Sequence, residues 1–186
     1  MTKTRPEPRP AALAPLAPIK WVGFDVDGVM TDGGIWLAAD GAEAKRFHSR
    51  DGHAIKLLVR AGLKLSIITG RKSRVVELRA LELGIESLHQ AAHDKLAVYE
   101  KILREEGLSP EETAFAGDDM VDLPIMIRCG LAMAPADASP EARAHADYVS
   151  PSRGGRGAVR DMAEHILRGK GLWEDVMAGY LRRDPS

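Results

Sequence analysis

Three short apolar runs, IKWVGF (19–24), LKLSIIT (63–69) and TAFAG (113–117), recur along the chain, each set against glycine and polar residues and separated by longer stretches of helical period. That alternation is the signature of a parallel sheet covered by helices, and the runs read as buried strands. LAMA (131–134) is a weaker fourth, with ESLHQ (86–90) and YVS (148–150) as short additions. The expected fold class is α/β, a Rossmann-like three-layer sandwich with a mainly parallel sheet. Between the runs, Ile55, Leu58 and Val59, then Val75, Leu78 and Leu81, then Leu96, Tyr99 and Leu103, and finally Val159, Met162 and Ile166 form stripes at helical spacing, expected to face the core. Ser109-Pro110-Glu111-Glu112 carries a capping residue, proline at the first helical position and Glu three after the cap, so a short helical turn is expected before the third run.

The segment GGIWLAADGAEAKRFHS (33–49) breaks the alternation. Ile35 and Leu37, an Asp40-Gly41 turn, then Lys45 and Phe47 at period two predict a hairpin. It follows directly on GFDVDGVMTDG (23–33), where two carboxylates, Asp25 and Asp27, stand two positions apart at the end of the first run. Strand alternation points them the same way, into one small volume where like charges repel. A divalent cation or a shared proton offsets that repulsion.

At 186 residues the chain suits one compact domain, able to bury roughly 70% of its unfolded surface. We divide it into a flexible proline-rich tail (1–18), a main folded domain (19–168) and a C-terminal helical tail (169–186). The balance of 26 basic against 27 acidic residues gives no basic field for nucleic acid. No apolar segment has the length of a membrane span or a signal peptide, so a cytoplasmic location is expected. The single cysteine, Cys129, is expected to be an inert buried thiol. The six histidines show no zinc-binding spacing.

In an open parallel sheet ligands bind where the carboxyl ends of strands converge. Reading only those ends gives Asp25 and Asp27, Thr69-Gly70-Arg71, and Gly117-Asp118-Asp119 with Asp122 just beyond, while Lys95 opens an intervening helix. Carboxylates alone suggest a metal site, and Thr69 with Lys95 an anion site; together they describe a phosphate held against Mg²⁺. Asp25, the main-chain carbonyl of Asp27 and Asp118 are the expected metal ligands. The Thr69 hydroxyl, the amides about Gly70, and Lys95 are expected to hold phosphate. On this reading Asp25 attacks phosphorus and Asp27 exchanges protons with the leaving oxygen and then with water.

These residues resemble the haloacid dehalogenase superfamily of phosphatases, whose four motifs appear in order as DVDGVMTDG, IITGRKS, HDK and GDDMVD. The resemblance implies Asp25 as nucleophile, Asp27 as acid and base, Thr69 and Lys95 as phosphate ligands and Asp118 as a magnesium ligand. Asp122 is then a supporting residue, and Asp119 either supports the site or caps a helix. RDGHAIKLL, GDDMVDLP and RGGRGAVR extend the likeness from about Val22 to Leu167, which is similar to the 3-deoxy-D-manno-octulosonate 8-phosphate phosphatase family. That family implies a sugar-acid phosphate substrate, a role in lipopolysaccharide precursor synthesis, no separate cap domain, and homotetramers in which neighbours' hairpins and tails help close each site. Arg71 and Arg156 are candidates for the substrate carboxylate, because a planar guanidinium suits it; a related branch acting on a nine-carbon sugar acid tends to carry Glu at both. His48, Arg50 and Asp51, after the hairpin, are further substrate candidates, although relatives often have Asn in place of His48. Val121 replaces an Asn common in the fourth motif. A phospho-accepting receiver domain is the rival from another class, opposed by the second acid at Asp27 and by the hairpin.

Overall fold

The computed structural model describes residues 16 and 18–181. Six strands, β1 (Trp21–Phe24), β4 (Lys64–Ile68), β5 (Ser87–His89), β6 (Thr113–Ala116), β7 (Leu131–Ala134) and β8 (Tyr148–Val149), form one sheet in the order β5-β4-β1-β6-β7-β8. Every pairing in it is parallel. The remaining two, β2 (Trp36–Leu37) and β3 (Glu43–Ala44), make an antiparallel hairpin, so the expected sandwich with a small flap is the fold observed. The helices are α1 (Ser49–Arg60), α2 (Arg74–Leu83), α3 (Lys95–Glu106), α4 (Leu123–Met126), α5 (Pro140–His145), α6 (Ala158–Gly169) and α7 (Trp173–Leu181).

The central strands are apolar on both faces, and period-two alternation sorts their side chains into two cores. Val22 and Phe24, Leu65 and Ile67, Ala114 and Ala116, and Leu131 and Met133 face one core, which α1, α2, α6 and α7 complete. Trp21, Ile68, Phe115, Ala132 and Ala134 face the other, completed by α3, α4 and α5. Trp21 buries its ring but satisfies its indole N–H, which donates to Ser66 Oγ at 2.8 Å.

Two expectations about packing are corrected. On α2 the buried residues are Val76, Ala80 and Leu83, whereas Leu78 and Leu81 are 52% and 80% exposed. The Val75–Leu78–Leu81 stripe has helical spacing but lies one step round the helix from the face that packs. On α1, Val59 is exposed and Leu57 is buried beside Ile55 and Leu58. The turn at Pro110–Glu112 is present with its reciprocal cap, the Ser109 N–H donating to Glu112 Oε2 at 2.9 Å.

Apart from Leu16 and Pro18, the tail expected over 1–18 lies outside the described residues; Leu16 itself is buried against Gly169. The C-terminal segment is helical as α7, packing Trp173 into the core with the guanidinium groups of Arg160 and Arg168 over its ring, at 5.5 and 4.5 Å from the centroid. Among the described residues no helix is long and apolar enough to cross a membrane. Burial pushes the Cys129 thiol up to about 12, as expected of an inert cysteine.

Candidate active site

β1 occupies the centre of the sheet, with β4 on one side and β6 on the other. The carboxyl ends of these three strands converge where the strand order reverses, the position at which open α/β sheets bind ligands. Asp25 prolongs β1 by one ladder bond, its N–H donating to Ala116 O at 2.9 Å. The chain then leaves the strand in a wide helical turn over Val26–Met30. Asp25 and Asp27 do line one cavity of about 270 Å³, together with Thr69, Gly70, Arg71, His93 and Lys95. The turn, not strand alternation, brings Asp27 there.

Lys95, the first residue of α3, is buried among carboxylates. Its Nζ donates to Asp122 Oδ1 at 2.7 Å and lies 3.0 Å from Asp25 Oδ1. Burial works against its charge, but Asp25 and Asp122 outweigh that and hold its pKa above the ordinary lysine value. The other oxygen of Asp122 accepts from the main-chain N–H groups of Asp118 and Asp119, at 3.0 and 3.3 Å. Both oxygens of Asp122 are thereby engaged, and it fixes both Lys95 and the loop after β6. Asp119 is exposed, and its Oδ1 accepts from Met120 N at 2.8 Å, a capping contact.

Asp25, Asp118 and Asp122 offer oxygens that all lie within 4.8 Å of one another. Three carboxylates against one ammonium leave two formal negative charges in a mostly buried volume. Burial, then the neighbouring carboxylate of Asp122, raises Asp25 to about 6 despite Lys95. Burial, followed by Asp25 and Asp122, raises Asp118 to about 8. A hard divalent cation relieves this arrangement, and the all-oxygen donor set suits Mg²⁺. Asp25 and Asp118 are the side chains open to it, since both Asp122 oxygens are engaged. Gly28 makes the approach of Asp118 feasible: its φ is +92°, and a Cβ there would stand 2.0 Å from Asp118 Oδ2.

The hairpin contributes a second ionic cluster that sequence reasoning missed. Lys45 Nζ donates to Asp27 Oδ1 and lies 3.4 Å from Glu43 Oε1. Glu43 Oε2 accepts from the hydroxyl of Ser73, which also caps α2. That hydrogen bond, with Lys45 and Arg71 nearby, holds the Glu43 carboxyl below its usual range. Arg71 joins the cluster at 3.8 Å from Asp27 Oδ2 and 3.7 Å from Glu43 Oε1. The available signal was that Glu43 and Lys45 stand two apart in the second arm of the expected hairpin, which puts them on one face of an extended chain. Which face turns to Asp27 depends on how the hairpin folds back, and no local pattern encodes that.

The remaining substrate candidates do not line the cavity. Arg156 is 3.6 Å from Asp32 Oδ2 and borders a separate depression with Trp36, Asp137 and Arg153. The glycines of its loop have a packing reason: Gly154 sits so close to the turn after β1 that a Cβ would meet Gly28 O at 1.8 Å. His48 precedes α1 with its Nδ1 buried and unpartnered, beside Asp51. Arg50 is exposed on the first turn of α1. Asp51 is instead a joint of the fold, accepting from the N–H groups of Gly157 and Arg160 at 3.2 and 2.9 Å and tying α1 to α6.

Residues 84–161 match the family model described as haloacid dehalogenase-like hydrolase. The 3-deoxy-D-manno-octulosonate 8-phosphate phosphatase of Yersinia pestis is 44% identical over 163 residues, covering 88% of this chain and 85% of its own. That of Escherichia coli K12 is 40% identical over 158 residues, covering 85% and 84%. Among solved structures, a probable YrbI family phosphatase from Pseudomonas syringae superposes with a TM-score of 0.90 at 44% identity, over 92% of this chain and 98% of that one. The Moraxella catarrhalis 3-deoxy-D-manno-octulosonate 8-phosphate phosphatase, solved with magnesium, phosphate and KDO, gives 0.87 at 34% identity over 89% and 95%. Carrying its carboxylate and lysine constellation on a parallel sheet with a hairpin flap, and matching these relatives over most of its length, the chain belongs to the haloacid dehalogenase-like 3-deoxy-D-manno-octulosonate 8-phosphate phosphatase family.

Proposed function

We propose that the protein hydrolyses 3-deoxy-D-manno-octulosonate 8-phosphate to the free sugar acid and inorganic phosphate, through an aspartyl phosphate on Asp25, in lipopolysaccharide precursor synthesis. The observation that carries this reading is the convergence of Asp25, Asp118, Asp122 and Lys95 beside Thr69 and Gly70. Uncatalysed phosphate monoester hydrolysis is slow enough to require up to ~10²¹-fold acceleration. Proton transfer contributes only ~10²–10⁴-fold, so a nucleophile and fixed charges must act with it.

In the first half-reaction a carboxylate oxygen of Asp25 bonds to phosphorus as the bond to the sugar oxygen breaks, and the proton on Asp27 passes to that oxygen. In the second, Asp27 takes a proton from the water that attacks phosphorus, releasing phosphate and restoring Asp25. Lys95 neutralises charge on nucleophile and phosphoryl group, while Thr69 and the amides about Gly70 orient the phosphate. Mg²⁺, held by Asp25, Asp118 and the main-chain carbonyl of Asp27, supplies Lewis-acid stabilisation of the phosphoryl oxygens when bound.

Arg71 is the guanidinium beside the cavity, and we assign it the substrate carboxylate. Arg156, His48 and Arg50 lie outside the cavity of one chain, so their contact with substrate belongs to an assembled site. A homotetramer is the assembly we propose, supported by the apolar first strand of the hairpin, where Ile35, Trp36 and Leu37 are 50%, 66% and 65% exposed. The cytoplasm is the proposed location. Phosphate release from a panel of eight- and nine-carbon sugar-acid phosphates, with and without chelator, tests the reading. Selective, chelator-sensitive turnover of the eight-carbon substrate is expected, and equal or absent turnover across the panel overturns it.

A further inference from the structure

We propose that Lys45 is a positioning residue for the reaction: from the hairpin, it fixes the carboxylate of Asp27, and it makes the seating of the hairpin depend on that contact. The proposal rests on the phosphatase reading above. Three observations carry it. Lys45 belongs to neither the sheet nor any of the four motifs, yet its side chain is only 1% exposed and its Nζ meets Asp27 Oδ1. A lysine is rarely buried to that degree unless paired. The ammonium is shared with Glu43 at 3.4 Å, and Glu43 is anchored through Ser73 at the start of α2, directly after the Thr69-Gly70-Arg71 loop. Only two bridged pairs join the two strands of the hairpin, and Ile35, Trp36 and Leu37 are exposed, so its own ladder does little to hold it. Its attachment to the body near the cavity is this ionic cluster.

Asp27 sits inside the wide turn over Val26–Met30, in a non-helical conformation (φ −78°, ψ 117°), so the regular helix does not fix its carboxylate. One carboxylate oxygen is committed to Lys45, which leaves the other, 3.8 Å from Arg71, as the one free to face the leaving oxygen. Holding a proton-transfer group in line is worth up to ~10²-fold, the scale on which a displacement of about 1 Å is felt. Lys95 makes the corresponding contact with Asp25, at 3.0 Å.

The test compares Lys45→Met, which keeps length but removes the cation, with Lys45→Arg, which restores it, in the full-length Mg²⁺-loaded protein. With the sugar-acid phosphate, Lys45→Met is expected to lower kcat about 10- to 100-fold with little change in KM, and Lys45→Arg to recover much of the loss. With p-nitrophenyl phosphate, whose leaving group departs without a proton, Lys45→Met is expected to give a burst of nitrophenolate followed by slow turnover. Phosphorylation of Asp25 then proceeds while Asp27-assisted hydrolysis lags. Slowing of burst and turnover alike, or unchanged kcat, overturns the proposal. Hydrogen exchange over residues 36–45 supplies a readout that needs no substrate. Lys45→Met and Asp27→Asn should each raise hairpin exchange, and the double variant should add little. Additive increases sever the coupling between hairpin and acid. A wild-type protein inert to every sugar-acid phosphate would instead remove the phosphatase reading, leaving the exchange cycle to judge the contact itself.

Discussion

At the scale of single residues the site divides charge by partner. Asp25 and Asp27 share one cavity, but Lys95 attends the first and Lys45 the second. In the proposed mechanism that separation lets one carboxylate attack while the other moves a proton. Asp25→Asn removes the nucleophilic oxygen with almost no change in volume, so turnover should fall on the order of 10⁴-fold or more, with unfolding by denaturant little altered. Retained activity in a preparation free of wild-type enzyme would refute the assignment. Arg71 is more exposed and more distant from its partners, at 3.7 and 3.8 Å, so it is available to an incoming carboxylate. Arg71→Gln is expected to raise KM about tenfold, the loss of one charge-assisted hydrogen bond, with kcat changed less. An unchanged KM for the eight-carbon substrate would take Arg71 out of recognition.

At the scale of elements, sequence pattern and structure agree where local chemistry decides and part where it does not. The three central strands were legible because each is a short apolar run, and the strand-end rule then singled out Asp25, Thr69 and Asp118 as candidates without any contact information. The hairpin was legible from its Asp40-Gly41 turn, where Asp40 Oδ1 accepts from Ala42 N at 2.9 Å. Its contribution to the site was not, because Lys45 reaches Asp27 across 18 positions of chain. The apolar face of α2 was misassigned for a related reason: the helix has more apolar residues than its packing face uses, and only the position of α1 and the sheet selects Val76, Ala80 and Leu83. This distinction is measurable. Leu81→Ser should shift stability by no more than about 0.5 kcal/mol, as exposed substitutions do. Leu83→Ala should cost about 2–5 kcal/mol, as cavity-forming substitutions in a core do. Equal losses in urea denaturation would mean that α2 packs on its other face in solution or in an assembly.

At the scale of the whole molecule, the buried carboxylates link folding, pH and metal. In the metal-free protein, Asp25 is raised to about 6 and Asp118 to about 8, both above the ordinary value of 3.8. An acid whose folded pKa is raised binds more protons in the folded state than in the unfolded one. Its contribution is therefore fully present below about pH 4 and is lost as pH rises through the folded pKa. Chelated protein should lose thermal stability progressively from about pH 4 to pH 8, the last part belonging to Asp118, with the slope flattening beyond. Carboxylates that protons no longer neutralise become ligands, so added Mg²⁺ should raise the melting temperature little at pH 5 and most at pH 8, with protons released on binding in the intermediate range. Paired melting curves in chelator and in saturating Mg²⁺ measure both trends. A metal increment independent of pH would mean that the acidic cluster beside Lys95 is not where the cation binds. An increment that vanishes in Asp118→Asn while persisting in Asp119→Asn would place it on the half-buried member of that pair.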